Sequence, residues 1–157
     1  MAEAALSGAI HPILENDYAS EWMGIEVLAV SDGHAIIRMT LRQEMLNGFG
    51  MAHGGMIFAF ADTAFALACN PATPTPAEAD SITVAAGVDI NFLKPAYRGQ
   101  VITAVADRRS TSGRSGLYDI QIFAADADAQ PGSLPGSGNP GELIAEFRGR
   151  SRTIPKK

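Results

Sequence analysis

The chain has 157 residues, of which 46% are hydrophobic and 18% charged, and its formal net charge is −5. These proportions are typical of a globular chain with a core of its own, and they exclude a disordered or fibrous protein. The acidic balance argues against a nucleic-acid binder, which would usually carry a basic excess. Cys69 is the only cysteine, so no internal disulfide is possible and a reducing compartment is expected.

The sequence predicts one domain over residues 1–157, with residues 1–17 as an N-terminal extension. No apolar run approaches the roughly 20 residues that span a membrane. The first ten residues lack the basic start and the apolar segment of a secretory signal, and we therefore expect a cytoplasmic protein.

The first elements are short. Residues 11–24 read as one or two short helices that end near Gly24. Residues 25–31 and 34–41 read as two strands of a hairpin, because a Ser-Asp-Gly turn separates them. Residues 42–55 are rich in glycine and read as a loop.

A long helix follows, from Gly54 or Gly55 to Asn70. Its alanines favour a helix and allow close packing, and its apolar residues occupy every side, which predicts burial. Three prolines, at positions 71, 74 and 76, end it.

The rest of the chain predicts four strands, at residues 81–93, 99–110, 117–126 and 142–154. A turn is predicted at residues 111–116 and a long flexible loop at residues 127–141, where proline and glycine dominate. Arg148, Arg150 and Arg152 alternate along the last strand and should share one face. The outline is an α+β fold with one helix lying on a mostly antiparallel sheet.

Asp62 stands in the middle of the apolar helix. Its helical neighbours at three and four residues are Phe58, Ala59, Phe65 and Ala66, and none of them is a cation. Desolvation would raise the pKa of this carboxyl, as a general base or a buried nucleophile requires. The structural alternative is a hydrogen bond from a backbone group of a neighbouring element.

The start of the same helix is a candidate oxyanion site. The first N–H groups of a helix have no intrahelical acceptor and lie at the positive end of its dipole. At Gly54 and Gly55 the missing side chains would let a carbonyl oxygen approach these donors. The structural alternative is that the glycines relieve a strained turn.

The spacing of Gly54 and Asp62 has a geometric consequence. Eight positions correspond to about 12 Å along one helix axis, so one carbonyl group cannot touch both residues of the same chain. If both serve one carbonyl, a second antiparallel copy of the helix must supply the other residue. The sequence therefore predicts an obligate two-fold dimer, provided that the two residues share a substrate.

Other chemistries find little support. The three histidines, His11, His34 and His53, are scattered, and with one cysteine they offer no spacing of metal ligands. No nucleophile elbow and no P-loop occur. Cys69 reads as a core residue. Arg114 lies within a Ser-Gly-Arg-Ser-Gly turn, where free N–H groups and a guanidinium suit a phosphate.

Residues 47–70 read NGFGMAHGGMIFAFADTAFALACN, and they are followed by a strand that ends in INFLKPA and by the turn SGRSG. Together these segments resemble the hotdog-fold acyl-CoA thioesterases, and within them the PaaI-like branch of the phenylacetate-pathway type. The resemblance extends over residues 18–152.

The resemblance implies a hotdog fold and a hydrolase that splits the thioester of an acyl-CoA, such as an aryl-acetyl or medium-chain acyl-CoA. It implies that Asp62 is the base or the nucleophile, and that the Gly54 N–H of the other subunit, with Gly55 beside it, polarises the carbonyl. His53 would orient the turn. Asn47 would hydrogen-bond near the thioester or the attacking water.

The resemblance also implies where coenzyme A lies and how chains assemble. Arg114 would bind its phosphates, with Lys94 and Arg109 as weaker candidates. Such enzymes form homotetramers as dimers of dimers, and they use no metal and no cofactor. The sequence departs from this pattern at the long loop of residues 127–141 and at the proline-rich segment of residues 70–80.

Two other functions stay open at this point. A module that binds or senses acyl-CoA without turnover would normally carry a further interaction segment, and none is evident. An enoyl-CoA hydratase or dehydratase would need a histidine paired with an acid, whereas His53 lies at the turn without an evident link to Asp62.

Overall fold

Six strands and two α-helices make up the part of the chain that the structure, a computed structural model, describes: residues 11–128 and 140–157. The helices are α1 (Tyr18–Met23) and α2 (Gly54–Cys69). The strands are β1 (Glu26–Ser31), β2 (His34–Thr40), β3 (Ser81–Phe92), β4 (Val101–Ser112), β5 (Ser115–Ala125) and β6 (Glu142–Pro155).

The strands form one sheet in the order β1-β2-β4-β5-β6-β3, and every neighbouring pair is antiparallel. The sheet curves around α2, which contacts all six strands. The predicted α+β layout, with a long central helix wrapped by an antiparallel sheet, is confirmed. It is the hotdog fold that the resemblance implies.

The core lies between α2 and the inner face of the sheet. Along β5, Tyr118, Ile120 and Ile122 are buried and alternate with more accessible residues, as the period of two predicted. From α2, Phe65 packs against Phe147 and Tyr118, with ring centroids 5.9 and 5.4 Å apart. Burial of this apolar face provides most of the driving force that holds α2 in place.

Asn70 fastens the C-terminal end of α2 to β3. Its side-chain N–H₂ group donates to the carbonyls of Ala66 and Thr83, at 3.0 and 2.9 Å. Its side-chain oxygen accepts from the Thr83 N–H at 3.0 Å. The buried His11 accepts from the Ile13 N–H at Nδ1, so its Nε2 carries the proton and donates to the Asn70 carbonyl at 3.0 Å. These bonds satisfy backbone groups that a helix end leaves open.

Most predicted boundaries are correct to within two residues, but the turn at residues 111–116 was predicted too long. Strand β4 continues to Ser112 and β5 begins at Ser115, which leaves Gly113 and Arg114 as a two-residue turn. Gly113 has a φ of 59°, which suits a tight hairpin. The polar residues around it resemble a loop in sequence, yet their backbones continue the hydrogen-bond ladder.

The prediction that α2 is buried on every side is also wrong. Ile57, Phe60 and Phe65 face the sheet, whereas Gly55 and Phe58 are exposed. Arg148, Arg150 and Arg152 share the exposed face of β6, as predicted. Most of the predicted N-terminal extension and of the loop at residues 127–141 lies outside the described residues.

Gly149→Ala should destabilise the fold, because a Cβ at Gly149 would lie 2.6 Å from the Phe65 ring. The ring is fully buried and cannot move aside, so we expect the free energy of unfolding to fall by about 1–3 kcal/mol. Denaturant unfolding measures this. Gly48→Ala is the control, since nothing lies within 4 Å of that position. Equal effects of the two substitutions would contradict the packing argument.

Candidate active site

His53 caps the start of α2 and determines which N–H groups stay free. Its Nδ1 accepts from the Gly55 N–H at 2.9 Å, and its carbonyl accepts from Met56 and Ile57. Its own N–H donates to the Met45 carbonyl at 2.8 Å, which anchors the cap to the preceding loop. Among the described residues, no group accepts from the Gly54 N–H. Gly54 therefore presents a donor at the positive end of the helix.

Gly54 also lies against an aromatic ring. A Cβ built at this position would lie 3.1 Å from Phe92 Cζ, at the end of β3. The absent side chain thus leaves room for the ring beside the free N–H. Phe92 itself is 52% exposed, so it forms part of the surface around the donor.

Asn47 closes the loop that precedes the cap. Its side-chain oxygen accepts from the N–H groups of Phe49 and Met51, at 2.9 and 3.2 Å. Two donors on one atom identify that atom as the oxygen. The Asn47 side-chain N–H₂ group therefore points elsewhere, and no group in the described part of the chain accepts from it. It is available to a ligand.

Asp62 lies on the open face of α2. Its side chain is half-buried and makes no hydrogen bond to any residue that the structure describes, so the predicted structural alternative finds no support there. Burial raises the pKa of its carboxyl, and the negative charge of Asp17 raises it further. A carboxylate in this state is a stronger base than one in water.

The site residues form two groups within one chain. Asn47, His53, Gly54 and Gly55 meet at the N-terminal end of α2, whereas Asp62 lies eight residues, or about 12 Å, further along the helix. One chain therefore does not bring the carboxylate and the free N–H to a common point.

The three predicted coenzyme A residues are not together either. Lys94 pairs with Glu142 at 2.8 Å, and Arg109 pairs with Asp119 at 2.8 Å. The Lys94 N–H bonds to β6 at residue 144, whereas the Arg114 carbonyl bonds to β6 at residue 153. Nine strand residues separate these points by about 30 Å. Lys94 thus lies near the start of α2, and Arg114 lies near its end.

Arg114 lines a cavity of 520 Å³ at the C-terminal end of α2, and no carboxylate among the described residues pairs with its guanidinium. Cys69 and Tyr118 also line this cavity. Burial raises the pKa of the Cys69 thiol to about 12, so the thiol stays protonated and is a poor nucleophile.

The described residues hold no group of three or more His, Cys, Asp or Glu side chains that could bind a metal ion. No helix in this part of the chain is long and apolar enough to cross a membrane. His11, His34 and His53 bond to Asn70, Asp107 and Gly55, respectively, so none of them is paired with Asp62.

Strand β3 leaves one edge of the sheet open. It pairs with β6 on one side and is the last strand of the sheet on the other. Large apolar side chains along and just beyond it are exposed: Ile82, Val84, Phe92 and Leu93. A long apolar edge strand of this kind is normally covered by another element or another chain.

Three residues near the site, Asp17, Ser20 and Thr63, were not among the residues predicted from the sequence. Asp17 caps α1 by accepting from the Ser20 N–H at 3.0 Å, and the Ser20 hydroxyl bonds to that of Thr63 at 2.9 Å. The signal for the cap was present, because an aspartate directly before the first residue of a helix is typical of one. The contact with Thr63 has no such signal.

Comparison with known proteins gives consistent matches. A family model described as the thioesterase superfamily matches residues 49–129. The acyl-coenzyme A thioesterase PaaI of Escherichia coli is 34% identical over 144 residues, which cover 92% of this chain and 88% of that protein. A putative esterase of Archaeoglobus fulgidus is 31% identical over 108 residues, which cover 69% of this chain and 66% of that protein.

Solved structures of PaaI proteins have the same fold as this chain. The E. coli PaaI protein superposes with a TM-score of 0.73 and covers 91% of this chain and 88% of its own. A variant of the phenylacetic acid degradation protein PaaI from Thermus thermophilus has a TM-score of 0.69 at 28% identity, and the match covers 87% of this chain and 98% of that one.

His53→Ala should destabilise α2, because it removes the acceptor of the Gly55 N–H. Loss of an N-cap costs about 0.5–2 kcal/mol, whereas asparagine is among the best capping residues. We therefore expect His53→Asn to retain most of the free energy of unfolding that His53→Ala loses. Urea unfolding of both variants measures this. Equal destabilisation by the two would show that the cap is not what His53 contributes to stability.

Proposed function

The chain belongs to the thioesterase superfamily and is a thioester hydrolase, and we propose that its substrate is an acyl-coenzyme A. Water and the thioester would give a carboxylic acid and free coenzyme A. The resemblance carried by residues 47–70 is confirmed at the level of the family. The acyl group that we propose is aryl-acetyl or medium-chain, since similar proteins are named for phenylacetic acid degradation.

The strongest support comes from α2. It presents a free N–H at Gly54, at its N-terminal end, and a half-buried carboxylate of raised pKa at Asp62, on the face that the sheet leaves open. Acyl transfer needs these two functions, a donor for the developing oxyanion and a base or nucleophile.

In the proposed reaction the Gly54 N–H donates to the thioester oxygen as negative charge develops there. Asp62 either removes a proton from the attacking water or attacks the carbonyl carbon to form a mixed anhydride, which water then hydrolyses. The C–S bond breaks in both routes, and the sulfur leaves as the thiolate, which takes up a proton. The Asn47 N–H₂ group would hydrogen-bond the thioester or the water. His53 would hold the turn through the Gly55 N–H.

The 12 Å between Gly54 and Asp62 requires two chains. Antiparallel copies of α2 that place Gly54 of one beside Asp62 of the other have residue 58 on the two-fold axis, since 58 is midway between 54 and 62. The Phe58 ring lies edge-on against Phe147 and is still 37% exposed, and such a contact would bury its exposed part. The open β3 edge could pair with its own copy about the same axis. The free edge, the exposed Phe58 and the divided site all fit one dimer.

The same dimer would bring Arg114 of one protomer toward Lys94 of its partner. With α2 antiparallel, the end of one protomer that carries Arg114 lies toward the end of its partner that carries Lys94 and Gly54. Arg114, which has no described partner, is the strongest candidate for the phosphates of coenzyme A. Arg109 is already paired with Asp119 and is a weaker one. The homotetramer and the cytoplasmic location stay predictions.

No specific observation favours either alternative function, the hydratase or dehydratase or the acyl-CoA binding module. A hydratase or dehydratase would need a histidine near Asp62, and the three histidines are bonded elsewhere. A module that binds acyl-CoA without turnover would not need a half-buried carboxylate of raised pKa.

Asp62→Asn should lower kcat for acyl-CoA hydrolysis by about 10²–10⁴-fold, the usual contribution of a general base. Release of free thiol from phenylacetyl-CoA and a panel of aryl and medium-chain acyl-CoAs measures this. Full turnover by Asp62→Asn would remove the residue from the mechanism. A parent protein that is inert across the panel, yet binds acyl-CoA, would favour the binding module.

The donor is tested by Gly54→Pro against Gly54→Ala. Gly54 is the first residue of α2, where proline is well tolerated, and the preceding His53 has a ψ of 132°, which a following proline allows. Both substitutions add a Cβ beside Phe92, but proline alone removes the N–H. We expect a further loss of about 10²–10³ in kcat for proline relative to alanine.

Mixed dimers test whether the site is shared. Gly54→Pro and Asp62→Asn chains are each inactive in the proposal, but a heterodimer of the two would contain one intact site. Random reassembly of equal amounts should restore about a quarter of the parent activity. If both residues acted within one chain, no mixture would recover activity, and the shared site would be wrong.

A further inference from the structure

A chain of hydrogen bonds joins α1 to α2 beside Asp62. The Asp17 carboxylate accepts from the Ser20 N–H at 3.0 Å and from the Ser20 hydroxyl at 2.7 Å. The Ser20 hydroxyl is 2.9 Å from that of Thr63. Because Ser20 donates its proton to a carboxylate, it accepts from Thr63, and both hydroxyl protons point toward Asp17.

The chain is buried at its centre. Ser20 and Thr63 are 5% and 9% exposed, so water does not compete for their hydroxyl groups. Thr63 directly follows Asp62 on α2. The turn of α2 that carries the Asp62 carboxyl is therefore held to α1 by the hydrogen bond between the Ser20 and Thr63 hydroxyl groups. The Asp17 carboxylate lies at the other end of this series of hydrogen bonds.

The charge at Asp17 is not required for capping. Asparagine caps a helix about as well as aspartate, because the acceptor of the N–H groups is a side-chain oxygen in either residue. A carboxylate placed beside a second carboxylate costs free energy, because each disfavours the ionised form of the other. Capping alone therefore does not explain why residue 17 is charged.

Few other charges face Asp62. Asp17 is the one charged group among the described residues that shifts the pKa of the Asp62 carboxyl, and burial is the larger cause of that shift. On α2 itself, the negative charge of Asp62 contributes to the raised pKa of the Cys69 thiol, which stays protonated. Several titratable residues of the strands pair with one another or with the β1–β2 turn: His34 with Asp107, Arg38 with Glu26, Arg108 with Asp32, and Arg109 and Arg148 with Asp119.

We propose that Asp17 is a positioning residue for Asp62: through Ser20 and Thr63 it holds the turn of α2 that carries Asp62, and it places a second negative charge beside that turn. The role rests on the proposed function, in which Asp62 accepts a proton or attacks the thioester. Asp17 itself need not touch the substrate.

Three variants separate charge from position. Asp17→Asn keeps an oxygen for the Ser20 N–H and a group that can bond the Ser20 hydroxyl, but it removes the charge. Ser20→Ala interrupts the hydrogen-bond chain and leaves the charge. Glu21→Gln is the matched control, since it removes a charge from the same exposed first turn of α1.

In Asp17→Asn we expect the acidic limb of the pH profile of kcat/KM to move to lower pH, with a lower plateau. The sign follows because the neighbouring negative charge favours protonated Asp62, and removing it favours the ionised form. In Ser20→Ala the plateau should fall while the acidic limb stays in place. Glu21→Gln should match the parent profile. An Asp17→Asn profile identical to that of the parent would overturn the proposal.

A second measurement does not depend on turnover. The side-chain carboxyl carbon of Asp62, followed by NMR in ¹³C-labelled protein and assigned with Asp62→Asn, should titrate at lower pH in Asp17→Asn than in the parent or in Glu21→Gln. Identical titrations would overturn the proposal. A parent that hydrolyses no thioester would overturn the proposed function, and the carbon titration would still decide whether Asp17 acts on Asp62.

Discussion

The packing of Phe65 into the curved sheet fixes the orientation of α2, and the rest of the molecule depends on that orientation. The ring lies against Phe147 and Tyr118 and fills the space above Gly149, where no other residue would leave room for it. A helix is rigid, so burial of one face determines the direction of every other side chain. Asp62 therefore points away from the sheet because Phe60 and Phe65 point into it, whereas Phe58, one turn from Asp62, still touches Phe147 with its ring edge.

The two ends of α2 differ in how completely their backbone groups are hydrogen-bonded. At the C-terminal end, Asn70 and His11 satisfy backbone groups and bind the helix to β3. At the N-terminal end, His53 satisfies the Gly55 N–H, while the Gly54 N–H has no acceptor among the described residues. The cap stabilises the start of the helix, and the one N–H that it leaves free can donate to an oxyanion. Electrostatic stabilisation of this kind needs a donor that is fixed before the substrate arrives.

Local patterns in the sequence were sufficient for the order of the elements, for the limits of α2 and for the choice of Asp62 and Gly54 as candidates. They could not show that α2 has an open face, because an apolar residue in the sequence indicates burial but does not indicate whether this chain's own sheet or another surface covers it. The contact of Ser20 with Thr63 joins residues 43 positions apart, and only the folded chain brings them together. The divided placement of Lys94 and Arg114 also follows from the path of β6 and not from any local pattern.

The helical geometry of α2 fixes the number of residues between Gly54 and Asp62. A residue inserted between Gly54 and Asp62 would turn the carboxylate by about 100° around the axis, toward the sheet, and a deletion would turn it as far in the other direction. Substitutions on the open face carry no such penalty. Insertions and deletions can therefore accumulate in the connection between α2 and β3 or in that between β5 and β6, whereas the eight-residue interval within α2 has a fixed count.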